Sequence, residues 1–219
     1  MLLDVSKINS VIFDMDGVLL HSSDCHEEAW CDALSLVGIT QFSYASIAGM
    51  RTDEAAQKIL DEQGISITET EKERLISQKR KKALELLMLR GRVADESKGL
   101  MLQLSKRYRL ALASSASAST VQFFLQKSGY GEIFSEVLDG TSVRHAKPDS
   151  EIYDLALERL NIAPQQAIIV EDAVNGIEAA HRAGVRVIAV AGTEKREVLL
   201  EAGAEVIVDK LSQIVSILL

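Results

Sequence analysis

Short apolar runs alternate with amphipathic stretches along most of the chain. Val11-Ile12-Phe13 is the first run, and Leu110-Ala111-Leu112-Ala113, Ser135-Glu136-Val137-Leu138, Ala167-Ile168-Ile169-Val170, 185–190 and 205–208 follow. Runs of Val, Ile and Ala without polar alternation predict strands covered on both faces, as in a parallel sheet. Between them, 151–160 and 175–183 carry helical spacing of apolar positions. This alternation predicts right-handed crossovers and an α/β fold, a Rossmann-like doubly wound parallel sheet. Sites in such sheets lie outside the carboxyl ends of the strands.

One stretch breaks the rhythm. From about 24 to 90 the pattern is helical only, over 25–37, 53–63 and 69–89, punctuated by Gly38, Gly49 and Gly64. The expectation is an inserted α-helical cap domain at 21–91, over an α/β core made of 1–20 and 92–219. Its hinges fall at 20–23 and 90–93, and a helix at 95–107 rejoins the core. A cap placed after the first strand stands over the sheet's carboxyl edge, where a lid or specificity element belongs. Trp30 and Phe42 read as cap core. The run Lys79-Arg80-Lys81-Lys82 reads as a solvated helix face, with one member pointing into the cleft as the alternative.

Among the 219 residues, 47% are hydrophobic and 26% charged, which is ordinary globular composition. A net charge of −8 argues against nucleic acid or an anionic membrane as the main partner. Cys25 and Cys31 form no metal or disulfide pattern, so a reducing cytoplasm is the expected location. The N-terminal Met1–Lys7 is too polar and short to read as a signal peptide, and no apolar run approaches membrane-spanning length. Oligomeric state is not legible, and a monomer is compatible with everything above.

The chemistry sits at strand ends. Val11-Ile12-Phe13 runs into Asp14-Met15-Asp16-Gly17. Two carboxylates at the mouth of a buried strand repel unless a cation sits with them, and a hard divalent ion with oxygen ligands, typically Mg²⁺, removes the conflict. The first Asp then suits a ligand and nucleophile, the second a proton donor and acceptor. An ordinary Asx or Gly turn fits the same residues. Ser114-Ser115 follows the second run just ahead of a helix, where hydroxyls and free N–H groups make an anion site or a plain N-cap. Lys147 precedes Pro148 in what reads as a rigid extended segment, a point charge for a phosphate or a solvated lysine. Ile168-Ile169-Val170 ends in Glu171-Asp172, either a second acidic strand end or a helix-start pair. Four such motifs fall in order at four strand ends.

With these residues the chain resembles the haloacid dehalogenase-like phosphatases, in their β-phosphoglucomutase-like branch with a helical cap. The resemblance runs over nearly the whole chain, through Asp14–Leu19, Ser114, Lys147-Pro148 and Glu171-Asp172, and is close over 170–180 with Ala183-Gly184. It implies that Asp14 is a nucleophile forming an aspartyl-phosphate and that Asp16 protonates the leaving oxygen and then activates water. It implies phosphoryl binding by Ser114, Ser115 and Lys147. It also implies a Mg²⁺ site of Asp14, Asp16 through its backbone carbonyl, Glu171 and Asp172.

His26 matches a family histidine before the first cap helix, and Arg51 lies in a stretch similar to a cap loop facing the site; both are candidate substrate contacts. Thr52 and Ser117-Ala118 stand where β-phosphoglucomutase has an Arg and a Lys-Asn, which favours hydrolysis of a small phosphorylated metabolite, a sugar or polyol phosphate, over a mutase. A non-catalytic phospho-binding or receiver-like protein is the reading from another class. Receiver domains lack a helical insertion of this size, and a pseudo-enzyme would normally lose Asp14 or Asp16.

Overall fold

The computed structural model describes residues 4–219; Met1-Leu2-Leu3, the start of the segment read against a signal peptide, lie outside the described residues. Six strands form one parallel sheet: β1 (Ser10–Phe13), β4 (Arg109–Ala113), β5 (Phe134–Leu138), β6 (Ala167–Glu171), β7 (Arg186–Val190) and β8 (Val206–Val208). A two-stranded antiparallel ribbon joins β2 (Leu20–His21) to β3 (Arg92–Val93). The helices are α1 (Ser23–Ser35), α2 (Thr52–Gln63), α3 (Glu69–Arg90), α4 (Ser97–Leu104), α5 (Ala118–Ser128), α6 (Glu151–Leu160), α7 (Val174–Arg182), α8 (Arg196–Glu201) and α9 (Gln213–Leu218). No helix among the described residues is long and apolar enough to cross a membrane.

The order of the large sheet is β5-β4-β1-β6-β7-β8. The chain leaves β1 for β4 on one side and later returns to β6 on the other, so the strand order reverses around β1. A crevice opens at such a switch point. Alternate residues feed two separate cores. Val11, Phe13, Leu110, Leu112, Ile168 and Val170 pack on one face, while Ile12, Ala111, Ala113 and Ile169 pack on the other. Successive strand side chains point to opposite faces, and both faces are covered, which is why these strands read as unbroken apolar runs.

Residues 24–90 contain helices and one 3₁₀ turn at Ala45–Ile47, with no strand. The long α3 starts at a reciprocal cap: Thr68 Oγ1 accepts from Glu71 N–H at 3.3 Å, and Glu71 Oε2 accepts from Thr68 N–H at 2.8 Å. Trp30, Leu34, Ile47, Ile59, Leu60 and Leu75 build a third apolar cluster, with Phe42 packed against it. Nearer the sheet, Cys25 and Ala29 of α1 and Ala83, Leu86 and Leu87 of α3 join the core beneath them. The insertion is therefore rooted in the core at its base and has its own apolar centre further out.

Three local readings are corrected. Within the hinge stretches, Leu20–His21 and Arg92–Val93 pair as β2 and β3, strands the reading lacked because two residues carry too little periodicity to be read. The helix expected over 95–107 is shortened to α4, Ser97–Leu104. Lys147 lies not in an extended segment but in a turn closed by Asp149 N–H donating to the Ala146 carbonyl at 2.9 Å.

Candidate active site

β1, β4 and β6 end side by side, so Asp14, Ser114 and Glu171-Asp172 meet at one edge of the sheet. The turn after β5 brings Lys147 beneath them. Its Nζ donates to Asp14 Oδ1 at 2.6 Å, Glu171 Oε1 at 2.7 Å and the Ala113 carbonyl at 3.0 Å. Lys147 is 0% exposed and has no face left for solvent. Burial alone would lower its ammonium, but Asp14 and Glu171 outweigh that and raise it well above the ordinary lysine value. It is a fixed positive charge under the carboxylates.

Glu171 is held from three sides. Oε1 also accepts from the Tyr153 hydroxyl at 2.6 Å, and Oε2 accepts from Asp172 N–H at 3.1 Å. A Cβ at position 176 would run into this carboxylate, so glycine at the start of α7 is a condition of its placement. Gly17 answers to the same logic. With φ at +80° it makes the turn after Asp16, and a Cβ there would overlap the Asp172 carboxylate. The Thr193 hydroxyl donates to Asp172 Oδ2.

Oxygens of Asp14, Glu171 and Asp172 lie within 4.8 Å of one another. Asp14 Oδ2 and Asp172 Oδ1 have no hydrogen bond among the described residues, yet no buried side-chain polar atom there lacks a partner, so both oxygens open to solvent. Burial pushes the Asp14 carboxyl up to about 8, with Glu171 and Asp16 adding to the rise and Lys147 opposing it. Asp172 is raised well above its usual value by burial, then by Glu171 and Asp14. One lysine does not balance three carboxylates. Two open oxygens, hard donors and surplus negative charge fit a small divalent cation.

The Asp16 side chain stands apart from this cluster and accepts from His26 Nε2 at 3.1 Å. Burial alone would raise its carboxyl, but His26, a hydrogen bond from Ser22 and the charge of Lys79 lower it below the ordinary value. Behind His26, Lys79 Nζ lies 3.3 Å from Nδ1 and 5.2 Å from the centre of the Trp30 ring. A charged Lys79 donates to Nδ1, which leaves the proton on Nε2 directed at Asp16. Here the solvated-face reading of 79–82 is corrected: Lys79 is buried at 7% exposure, because α3 turns this one position toward α1.

Burial brings Lys79 down from 10.5 to about 8, against the pull of Asp16. Its folded value is below its unfolded value, so the cost of burying the charge is present below pH 8 and relieved between 8 and 10.5. Lys79→Met is therefore expected to raise thermal stability at pH 7, by on the order of 3 kcal/mol if all of that cost is recovered, while turnover falls. Melting curves from pH 7 to 10.5 check the first part: the gap between variant and parent closes as pH rises.

Ser114 is buried, and its Oγ accepts from Ala116 N–H at 3.1 Å; Ser115 is half-buried in the same loop. Arg51 does not point to open space. Its guanidinium donates to Asp53 Oδ1 (2.7 Å), Gly140 O (3.3 Å), Val143 O (3.0 Å), Glu54 Oε1 (3.0 Å) and Arg144 O (2.9 Å). Glu54 in turn accepts from Ala146 N–H at 2.9 Å, and Asn175 Nδ2 donates to the Ala48 carbonyl at 2.8 Å. The 48–54 segment is thus clasped to the loop that carries Lys147 and to α7.

Sequence reading missed Tyr44, Tyr153 and Thr193, and for 79–82 it held an inward-pointing member as the alternative without saying which. Burial, with the charges of Asp16, Asp172, Glu27 and Asp14, raises the Tyr44 hydroxyl well above its usual value, which keeps it a protonated donor in the field of the site. Tyr153 falls on the apolar stripe of α6 with Ile152, Ala156 and Leu157 and reads as core. For Thr193 a signal existed, since it lies just past the carboxyl end of β7.

A sequence model described as haloacid dehalogenase-like hydrolase matches residues 11–190. A phosphorylated carbohydrates phosphatase of Thermotoga maritima is 33% identical over 216 residues, spanning 96% of this chain and 98% of that protein. The structure of a β-phosphoglucomutase from Clostridium difficile superposes with a TM-score of 0.83 at 26% identity, over 94% of this chain and 93% of that one. A hydrolase from Pseudomonas syringae shares the fold with a TM-score of 0.87 at 22% identity, over 95% and 96% of the two chains.

Proposed function

This chain belongs to the haloacid dehalogenase-like hydrolases, and from that premise we propose that it is a Mg²⁺-dependent phosphatase hydrolysing a small sugar or polyol phosphate through an aspartyl-phosphate on Asp14. The observation that carries the reading is the buried Lys147–Asp14–Glu171–Asp172 cluster at the sheet's switch point, with one oxygen each of Asp14 and Asp172 left open. Asp14, Asp172 and the Asp16 backbone carbonyl would hold the ion; Glu171, expected as a further ligand, has both oxygens engaged by Lys147, Tyr153 and the Asp172 N–H and instead fixes Lys147 and Asp172 from below. When bound, Mg²⁺ supplies charge neutralisation for an anionic substrate approaching an anionic nucleophile.

The chain's own groups do the rest. With a cation beside it offsetting the negative charges that raise its carboxyl, Asp14 attacks phosphorus as the carboxylate, the ester P–O bond breaks, and the leaving oxygen takes the proton that Asp16 carries. Asp16, now a carboxylate, removes a proton from water as the water oxygen attacks phosphorus and releases Asp14. Ser114 and the Ser115 loop are assigned to the phosphoryl oxygens; Lys147, expected there too, has its three bonds on Asp14, Glu171 and the Ala113 carbonyl and is assigned to the nucleophile. Residues 21–91 act as a cap over this site, carrying His26, Lys79 and Tyr44 to it, and 1–20 with 92–219 form the core.

Hydrolysis is preferred to mutase chemistry. A mutase must grip a second phosphate during reorientation, and Arg51 has its donors engaged by protein acceptors. The likeness to β-phosphoglucomutase at 26% identity makes the mutase the second reading. A panel of phosphorylated sugars and polyols, followed by phosphate release and by isomer analysis, separates them. Phosphate release dependent on Mg²⁺ is expected. Isomer interconversion without release would favour the mutase, and turnover undiminished in excess chelator would sink the metal assignment.

A further inference from the structure

We propose that Thr193 is a positioning residue that sets the rotamer of Asp172 for metal binding, and that Ser23 of α1 completes it; this rests on the metal site assigned under the proposed function. The Thr193 hydroxyl donates to Asp172 Oδ2, and Thr193 Oγ1 lies 3.3 Å from Ser23 Oγ. A hydroxyl has a single proton. A carboxylate acceptor takes it, so the Thr193 oxygen is left to accept, and Ser23 is the donor. The bonds run in one direction, from Ser23 through Thr193 to Asp172.

Thr193 supplies the one side-chain hydrogen bond to Asp172 among the described residues. Beside it, the backbone at Gly17 approaches so closely that a Cβ would overlap the Asp172 carboxylate and come within 2.8 Å of Thr193 Oγ1. Gly17 and Thr193 thus both close on Oδ2, which the hydroxyl ties back, while Oδ1 has no hydrogen bond among the described residues. Without the hydroxyl, Asp172 keeps no side-chain hydrogen bond among the described residues to hold its rotamer, and Glu171 and Asp14 repel both oxygens.

Ser23 adds a coupling. It opens α1, and His26 sits one turn further along the same helix, bonded to Asp16. The first turn of α1 thereby touches both carboxylates of the proposed chemistry, Asp172 through Thr193 and Asp16 through His26. Seating α1 on the core sets the two together.

Losing a group that orients a metal ligand typically costs about 10- to 100-fold in affinity. The test titrates Mg²⁺ into the metal-free full chain by isothermal calorimetry, with no substrate present. Thr193→Val is expected to weaken Mg²⁺ binding about tenfold or more, Thr193→Ser to restore it, and Ser23→Ala to weaken it less than Thr193→Val. A merely structural role would not be rescued by serine. Thr193 is half-buried, and Thr193→Ala serves if the valine variant does not fold. Asp172→Ala is the reference. If it loses Mg²⁺ while Thr193→Val and Thr193→Ala bind like the parent, the positioning role is wrong and the metal site stands. If Asp172→Ala also binds like the parent, the metal site itself falls and this inference with it.

Discussion

Asp14→Asn is expected to lower kcat on the order of 10⁴-fold or more, as removal of a covalent nucleophile does elsewhere, and to abolish any acid-stable phosphoenzyme. The amide is neutral and a poor nucleophile toward phosphorus. The fold should survive, because Lys147 keeps Glu171 at 2.7 Å and the Ala113 carbonyl at 3.0 Å after one partner changes. Stability gives a second readout with a definite sign. The Asp14 carboxyl stands at about 8 in the folded protein against 3.8 ordinarily. A raised value contributes stability below about pH 4 that is lost as pH rises toward 8. The metal-free parent should therefore lose this contribution over that window, and Asp14→Asn should not. Phosphoenzyme trapping and melting curves check the two halves, and near-normal turnover in the variant would overturn the covalent mechanism.

The second large effect separates the two aspartates. Asp16→Asn retains the nucleophile, so an aryl phosphate with a good leaving group should still phosphorylate Asp14. Attack by water on that intermediate should slow by about 10²–10⁴-fold, the usual worth of general acid–base help. Rapid-quench kinetics are expected to show a stoichiometric burst with little steady-state turnover, and neither in Asp14→Asn. Alkyl phosphates should suffer more than aryl ones because an alkoxide needs the proton. The structure supplies the reason Asp16 can play both parts. In the substrate-free site His26, Ser22 and Lys79 overcome the effect of burial and hold it ionised, the form that takes a proton from water. A dianionic phosphoryl group beside it pushes the carboxyl back up, toward the form that gives one. Equal losses for aryl and alkyl substrates would remove Asp16 from the acid role.

Most of the groups that meet at this edge of the sheet are legible in the sequence. Asp14, Ser114, Glu171 and Asp172 each sit at or just beyond a strand end, and strand ends are readable when a buried apolar run stops at a polar residue; Lys147 comes well past the end of β5 at Leu138 and was marked by its place before Pro148. The parallel sheet was legible for the same reason, as was the absence of strands between 24 and 90. His26 was named through the resemblance, and it lies in the first turns of α1. Lys79 was not, because a basic run on a long charged helix gives no sign of which member turns inward. Arg51 was found as a residue but not for its surroundings. Its acceptors Gly140, Val143 and Arg144 are backbone carbonyls, which any residue type supplies and no sequence pattern marks.

The sequence by itself determined the main strands and helices and their order, though not the short β2–β3 ribbon, since periodicity, caps and turn residues act over a few neighbouring positions. It also determined which carboxylates end the strands. Only the tertiary structure decided how those groups are shared out. Lys147 meets Asp14 across 133 positions of chain, Lys79 meets His26 across 53, Thr193 meets Asp172 across 21 and Tyr153 meets Glu171 across 18. Which oxygen is tied back and which stays open depends on partners brought together by crossovers and by the seating of α1, and burial then makes each of those pairings strong enough to fix charge and rotamer.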